Sequence, residues 1–388
     1  MGRRTSITCT VSALMFVTAC AVVPVAVGGA ATDHLSTSSE FNDPSGLAVG
    51  AGHLWVTNQL GNSVTEVNPA NGAWLATLTN AGGYDFNRPD GIARVGADLF
   101  VANAGGTVTE MSSNDGSLVR HIAGASYGLV NPVAVTSSGD VVLVLNAGRA
   151  TSSGSLTEID ARSGALLRVI SGRAYAFADP RALAVSGTHV FVADQRSNSV
   201  TEVDVATGAL VRVVSRHGLD QPDGIAAESG RVWVANRAGN SATDIIARTG
   251  AVVATYSNAQ GSYGFGQPGA VVGVRGNVYV ASPFGMSPMV TKLSATTGRP
   301  YWYMCNTNGP YYFTRLSSFA VSGNDLWVAS RSGANSETPG AKTGSLTELL
   351  LTSGGLVKTL PSTGTSTTTT TTVAPTTTTT SAPTTTTT

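Results

Sequence analysis

"LWVTNQLGNSVTEVN", Leu54 to Asn68, and "VWVANRAGNSATDII", Val232 to Ile246, are two versions of one pattern. Each opens on a tryptophan between apolar neighbours, turns at Gly-Asn-Ser and ends in an alternating run, with Val64 and Glu66 facing one way and Thr65 and Val67 the other. Period-two alternation in β-branched and aromatic residues predicts strands, and the Gly-Asn between them predicts a tight turn. The stretch is therefore a hairpin, and the chain writes it more than once.

Aligning outward on the residue at Trp55 finds Phe100, Leu143, Phe191, Trp233, Tyr279 and Trp327, at spacings of 42 to 48 residues. Each copy has the same four parts. A Pro-x-Gly-like start leads an apolar run ("DPSGLAV", "RPDGIAR", "QPDGIAA"), followed by a "WVAN" strand, a "SVTEV" strand and a last strand such as "AWLATL". Pairs such as Asn71-Gly72 and Thr207-Gly208 supply the residue that tolerates positive φ before that last strand. Four short strands in a unit repeated seven times predict an all-β, seven-bladed β-propeller of four-stranded antiparallel blades over residues 43–360. A single blade has no partner for its apolar faces, so the repeat exists because blades bury one another.

These repeats resemble the NHL and YVTN propeller repeats and those of streptogramin lyases. The resemblance covers the chain between its two terminal segments and implies the fold. It does not choose a function, because propellers of this kind serve as binding scaffolds, lyases and lactonases alike.

The termini differ in composition from the repeats. "MGRR" precedes an apolar run, the pattern of an export signal over residues 1–31. Within it "VTAC" resembles a bacterial lipobox, which implies lipidation of Cys20; cleavage near Ala31 and retention as a membrane anchor are the alternatives. Residues 32–42 form a linker, and residues 361–388 are a Thr/Pro-rich tail that cannot bury apolar surface. A secreted or envelope-attached protein is expected.

Charge is low and balanced, with 23 basic and 23 acidic residues, so no nucleic-acid partner is expected and membrane contact only through the N-terminal anchor. A monomer is expected, and three cysteines, two of them in the leader, offer no disulfide framework.

Residues repeated in most blades, such as the Thr-Glu pair of "SVTEV", belong to the architecture, since a catalytic group is needed once. Chemistry is sought where blades differ. The middle residue of Pro-x-Gly is Ser45, Asp90, Val133, Arg181, Asp223 and Gly269 in the first six copies, and Ser317 or Ser318 in the last. Asp90, Arg181 and Asp223 are thus candidate ligand-binding residues on the channel face. In the gluconolactonase and senescence-marker propellers that the repeat also resembles, a Pro-Asp-Gly aspartate holds a central divalent metal. That resemblance implies Asp90 and Asp223 as metal ligands, with Glu40 and Asn131 as guesses for the others. The same motif is also an ordinary turn. Streptogramin lyases imply a histidine beside a glutamate, for which His217 and Glu228 are the nearest match. Finally, Tyr301, Trp302, Tyr303, Tyr311 and Tyr312 crowd one irregular unit, as a candidate aromatic binding surface or as packing that closes the ring.

The expected function is an extracytoplasmic, surface-associated binding or scaffold module for protein or glycan partners, with no cofactor. The alternative is a lactonase or lyase using Ca²⁺ or another divalent metal in the channel.

Overall fold

The structure is a computed structural model that describes residues 41–149, 153–215, 218–261, 263–284, 287–306, 311, 313–331 and 344–360. The export segment with Cys20, the linker up to residue 40, His217, Tyr312 and the Thr/Pro-rich tail lie outside the described residues.

Among the described residues twenty-eight strands form seven antiparallel sheets, each of four strands consecutive in the chain. In blade 1 they are Pro44–Gly50, His53–Asn58, Ser63–Val67 and Trp74–Thr79, running from the channel outward. The later blades occupy residues 89–122, 132–170, 180–215, 222–257, 271–305 and 315–360. The chain is a seven-bladed propeller.

Apolar residues collect at the junctions between blades. Seven clusters, one per junction, hold the buried side chains, among them Trp55, Phe100, Trp233 and Trp327 from the second strands. Blade 7 meets blade 1 without exchanging a strand. Phe41, Leu54 and Val67 pack there on Trp327 and Leu346, while the Ser317 hydroxyl donates to the Pro44 carbonyl at 2.8 Å and the Gly344 N–H to the Phe41 carbonyl at 2.7 Å.

The twin hairpins have a local reason. Asn62 and Asn240 sit in the turn at positive φ, 45° each, which Asn tolerates better than most residues. Their side-chain carbonyls accept the backbone N–H of Arg88 and of Gln267, each at 2.7 Å, so one blade's turn clamps the next blade's entry loop. The repeated threonine works the same junction. Thr109, Thr157, Thr201 and Thr291, all fully buried, donate to the carbonyls of Tyr84, Tyr127, Tyr175 and Tyr263 in the adjoining loops at 2.7–2.9 Å. The asparagines that end the second strands join this network: the Asn58 and Asn236 amides donate to Thr65 and Thr243 at 2.8 Å.

The carboxylate beside that threonine is buried between blades, with a cation on a neighbouring strand. Glu110 meets Arg120 at 2.9 Å, Glu158 meets Arg168 at 3.0 Å, Glu202 meets Arg212 at 2.8 Å and Glu348 meets Lys358 at 3.0 Å. Blade 6 inverts the arrangement. Lys292 stands at the carboxylate position and pairs in register with Trp302, which holds the position of the arginine. The ammonium lies 5.6–5.7 Å from the rings of Tyr279, Tyr301 and Trp302 and donates to the Leu351 carbonyl at 2.8 Å, so ring faces replace the missing counter-charge. Burial depresses the Lys292 pKa.

Candidate functional site

The Pro-x-Gly start fixes how each blade meets the channel. Proline opens the first strand, where no ladder N–H is needed, and the register slips immediately after it, between Pro89 and Ile92, Pro180 and Ala182, and Pro222 and Gly224. A bulge of this kind re-aims one side chain. The re-aimed residues are Asp90, Arg181 and Asp223, and all three line one cavity of about 650 Å³ at the mouth of the central channel.

The small third residue of the motif has a steric reason. A Cβ on Gly224 would lie 1.6 Å from the Gly269 carbonyl oxygen of the next blade, and one on Gly91 would lie 2.8 Å from the Ala134 Cα. First strands converge on the axis and leave room there for little more than hydrogen. The residue before proline takes positive φ in five blades, at Asp43, Arg88, Asn131, Gln221 and Gln267 (48–59°). The left-handed conformation is disfavoured for such residues, and a junction that fixes the loop from both sides sustains it.

Charge at the mouth is dominated by arginine. Arg88, Arg181, Arg237, Arg315 and Arg331 share the cavity wall with Asp90 and Asp223. Arg331 reaches Asp90 at 3.3 Å and Asp43 at 3.5 Å, tying blade 7 to blades 1 and 2. Arg181 is held by Asp179 at 3.0 Å and by the Gln195 side-chain oxygen at 3.2 Å. Among the described residues no carboxylate lies within ion-pair distance of Arg88, Arg237 or Arg315. Burial raises the pKa of Asp90 against the opposing pull of Arg331, and that of Asp223 against Arg237 and Arg181.

Such a set does not suit a hard cation. Ca²⁺ takes six to eight oxygen ligands. Here the two aspartates stand beside guanidinium groups, and no group of three or more His, Cys, Asp or Glu able to hold a metal occurs among the described residues. Asn131 does line the mouth, whereas Glu40 and His217 lie outside the described residues. Glu228 accepts the Gly276 N–H at 2.9 Å and so fastens blade 5 to the next.

The aromatic cluster divides. Tyr311 is 5% exposed and stacks on Phe313 in the junction of blades 6 and 7, so it is not a surface residue: it takes the place that Tyr84, Tyr175 and Tyr263 hold in their own loops. Trp302 and Tyr303 are half-buried, Trp302 beside Lys292, and Tyr301 is 58% exposed. Tyr312 lies outside the described residues.

The arginines other than Arg181 were not singled out in the sequence, although a signal was present. Arg88 and Arg315 precede the motif, Arg237 follows the second strand of blade 5, and Arg331 ends that of blade 7. These places differ between blades as much as the motif's middle residue does.

No protein-family model and no curated protein sequence matches the chain. Solved structures do. A computationally designed protein, Ika8, is similar over 84% of this chain and 89% of its own, at 14% identity and a TM-score of 0.59. BamB from Moraxella catarrhalis is similar over 79% of this chain and 85% of its own, at 14% identity and a TM-score of 0.50. The likeness at this identity is one of fold.

Proposed function

We propose that the protein is an extracytoplasmic, surface-associated scaffold that binds a protein or glycan partner across the channel mouth. One observation carries the reading: residues shared by the blades are consumed in holding the ring together, whereas the residues that differ converge on one cavity with more guanidinium groups than nearby carboxylates neutralise. The BamB-like fold is compatible with a protein-binding role. The export signal, a lipid on Cys20 or an uncleaved anchor, and the Thr/Pro-rich stalk fit display outside the cytoplasm.

The test has two parts. Protease treatment of intact cells expressing the full chain with a C-terminal tag removes the tag signal if the protein is displayed; full protection of the tag would refute surface display. Partner capture by the purified protein is then compared with Arg181→Ala and Asp223→Ala, and capture at the wild-type level by both would refute the channel mouth as the binding face. A divalent-metal lactonase or lyase, which the guanidinium groups beside both aspartates disfavour, would require calcium binding that is lost in Asp90→Ala and Asp223→Ala.

A further inference from the structure

The channel mouth has a side lobe over blades 2 to 4, a cavity of about 550 Å³. Its wall carries four arginines, Arg88, Arg149, Arg181 and Arg196, and one carboxylate, Asp179, which is already joined to Arg181 at 3.0 Å. Asn131 lies at the boundary with the main cavity and lines both.

Among the described residues no carboxylate lies within ion-pair distance of Arg88 or Arg196, and an anion in this concavity is placed to meet both. The Arg181 guanidinium is positioned before any ligand arrives. Arg181 is held by Asp179 and Gln195, and the Arg88 backbone is pinned by Asn62 at 2.7 Å in a left-handed conformation, φ 53°. A fixed guanidinium presents its parallel N–H groups to carboxylate or phosphate with little loss of freedom. The main cavity next to it offers a different chemistry. Asp90 and Gln59 are engaged by Arg331, whereas Asp223 and the Gln267 amide are suited to hydroxyl groups, and Phe284, 40% exposed, supplies an apolar ring face.

We infer that the channel mouth binds an anionic glycan, with carboxylate or phosphate groups in the arginine lobe and neighbouring sugar hydroxyls on Asp223 and the Gln267 amide. The inference rests on the reading of the mouth as the binding face and adds the ligand's chemical class. An acidic peptide would satisfy the arginines and leave the hydroxyl-matching groups of the main cavity without partners.

The experiment is calorimetric titration of the purified protein with an oligogalacturonide, an oligo(glycerol phosphate), a neutral oligogalactan and poly-glutamate at two salt concentrations. Binding of either anionic glycan is expected, weakened by salt. The double variant Arg88→Ala/Arg196→Ala should lose about tenfold or more, since charge-assisted hydrogen bonds are the strong ones at such a site. The oligogalacturonide and the phosphate polymer tell a carboxylate-bearing from a phosphate-bearing glycan, and the neutral glycan should not bind. A folded double variant with unchanged affinity, equal binding of the neutral glycan, or poly-glutamate binding tighter than both anionic glycans would overturn the inference. Poly-glutamate binding that depends on the arginines would still leave the mouth as a binding face, so the two readings fail separately. Arg196→Lys, which keeps charge but not the fork, should bind at an intermediate level and guards against a variant that merely misfolds.

Discussion

Glu158 offers the sharpest test of how the blades are held together. Its side chain is fully buried, and its only cation partner in the described structure is Arg168, Nε to Oε2 at 3.0 Å, with the arginine side chain 34% exposed. Burial lifts the Glu158 pKa to about 7 even against the pull of Arg168. In Arg168→Met the aliphatic stem that covers Gly208 is roughly kept and the charge is lost. Stranding a buried charge costs about 3–5 kcal/mol; with Arg168 a third exposed, water screens part of the pair and about 3 kcal/mol is expected at pH 8. At pH 5 the carboxyl is protonated in the folded protein and no charge is stranded. The cost there should fall to about 1 kcal/mol, mainly the bond from Arg168 to the Ala206 carbonyl at 2.9 Å. Equilibrium urea unfolding of the wild type, Arg168→Met, Glu158→Gln and the double variant at both pH values measures this. Glu158→Gln should restore most of the loss at pH 8. A loss equal at pH 5 and pH 8, or no rescue by Glu158→Gln, would refute the reasoning.

Four further outcomes are expected. Glu110, Glu158 and Glu348 are raised to about 7 and Asp244 to about 6 by burial, so the folded protein binds more protons than the unfolded chain; stability is fullest below their ordinary values, 4.5 for the glutamates and 3.8 for Asp244, and falls as pH rises towards 7, which the midpoint of thermal unfolding against pH should show. Gly224→Ala forces a Cβ against the Gly269 carbonyl and should cost at least about 1–3 kcal/mol in urea unfolding, whereas Gly230→Ala, with open space around it, should suffer only the backbone strain of its positive φ. Tyr84→Phe removes the hydroxyl that donates to the Gly116 carbonyl at 2.8 Å and should cost about 1 kcal/mol by the same measurement. At the channel mouth Asp90 and Asp223 have raised pKa values, so binding of an anion should tighten as pH falls through them and they neutralise. Burial raises both values, Asp43 and Asp179 add to the rise, and Arg88, Arg181, Arg237 and Arg331 oppose it; Asp90→Asn should flatten the pH dependence measured by calorimetry.

The fold was legible because a propeller is a local structure repeated. The spacing of Trp55 and its equivalents, the period-two strands and the turn glycines all act within one blade, and burial of a blade by its copy needs no further instruction. The middle residue of Pro-x-Gly could also be read as a channel residue, since a bulge after a strand-opening proline is a local event. What the sequence could not decide is which distant residues meet. Arg331 reaches Asp43 and Asp90 only because the ring closes, and Tyr311 is buried only because its loop enters the junction with blade 7. Lys292 breaks the repeated pair, and only the fold sets Trp302 and Tyr301 around its ammonium. The period determined the seven blades; closure of the ring determined the charge of its mouth, because the arginines come from different blades and act on one another through space.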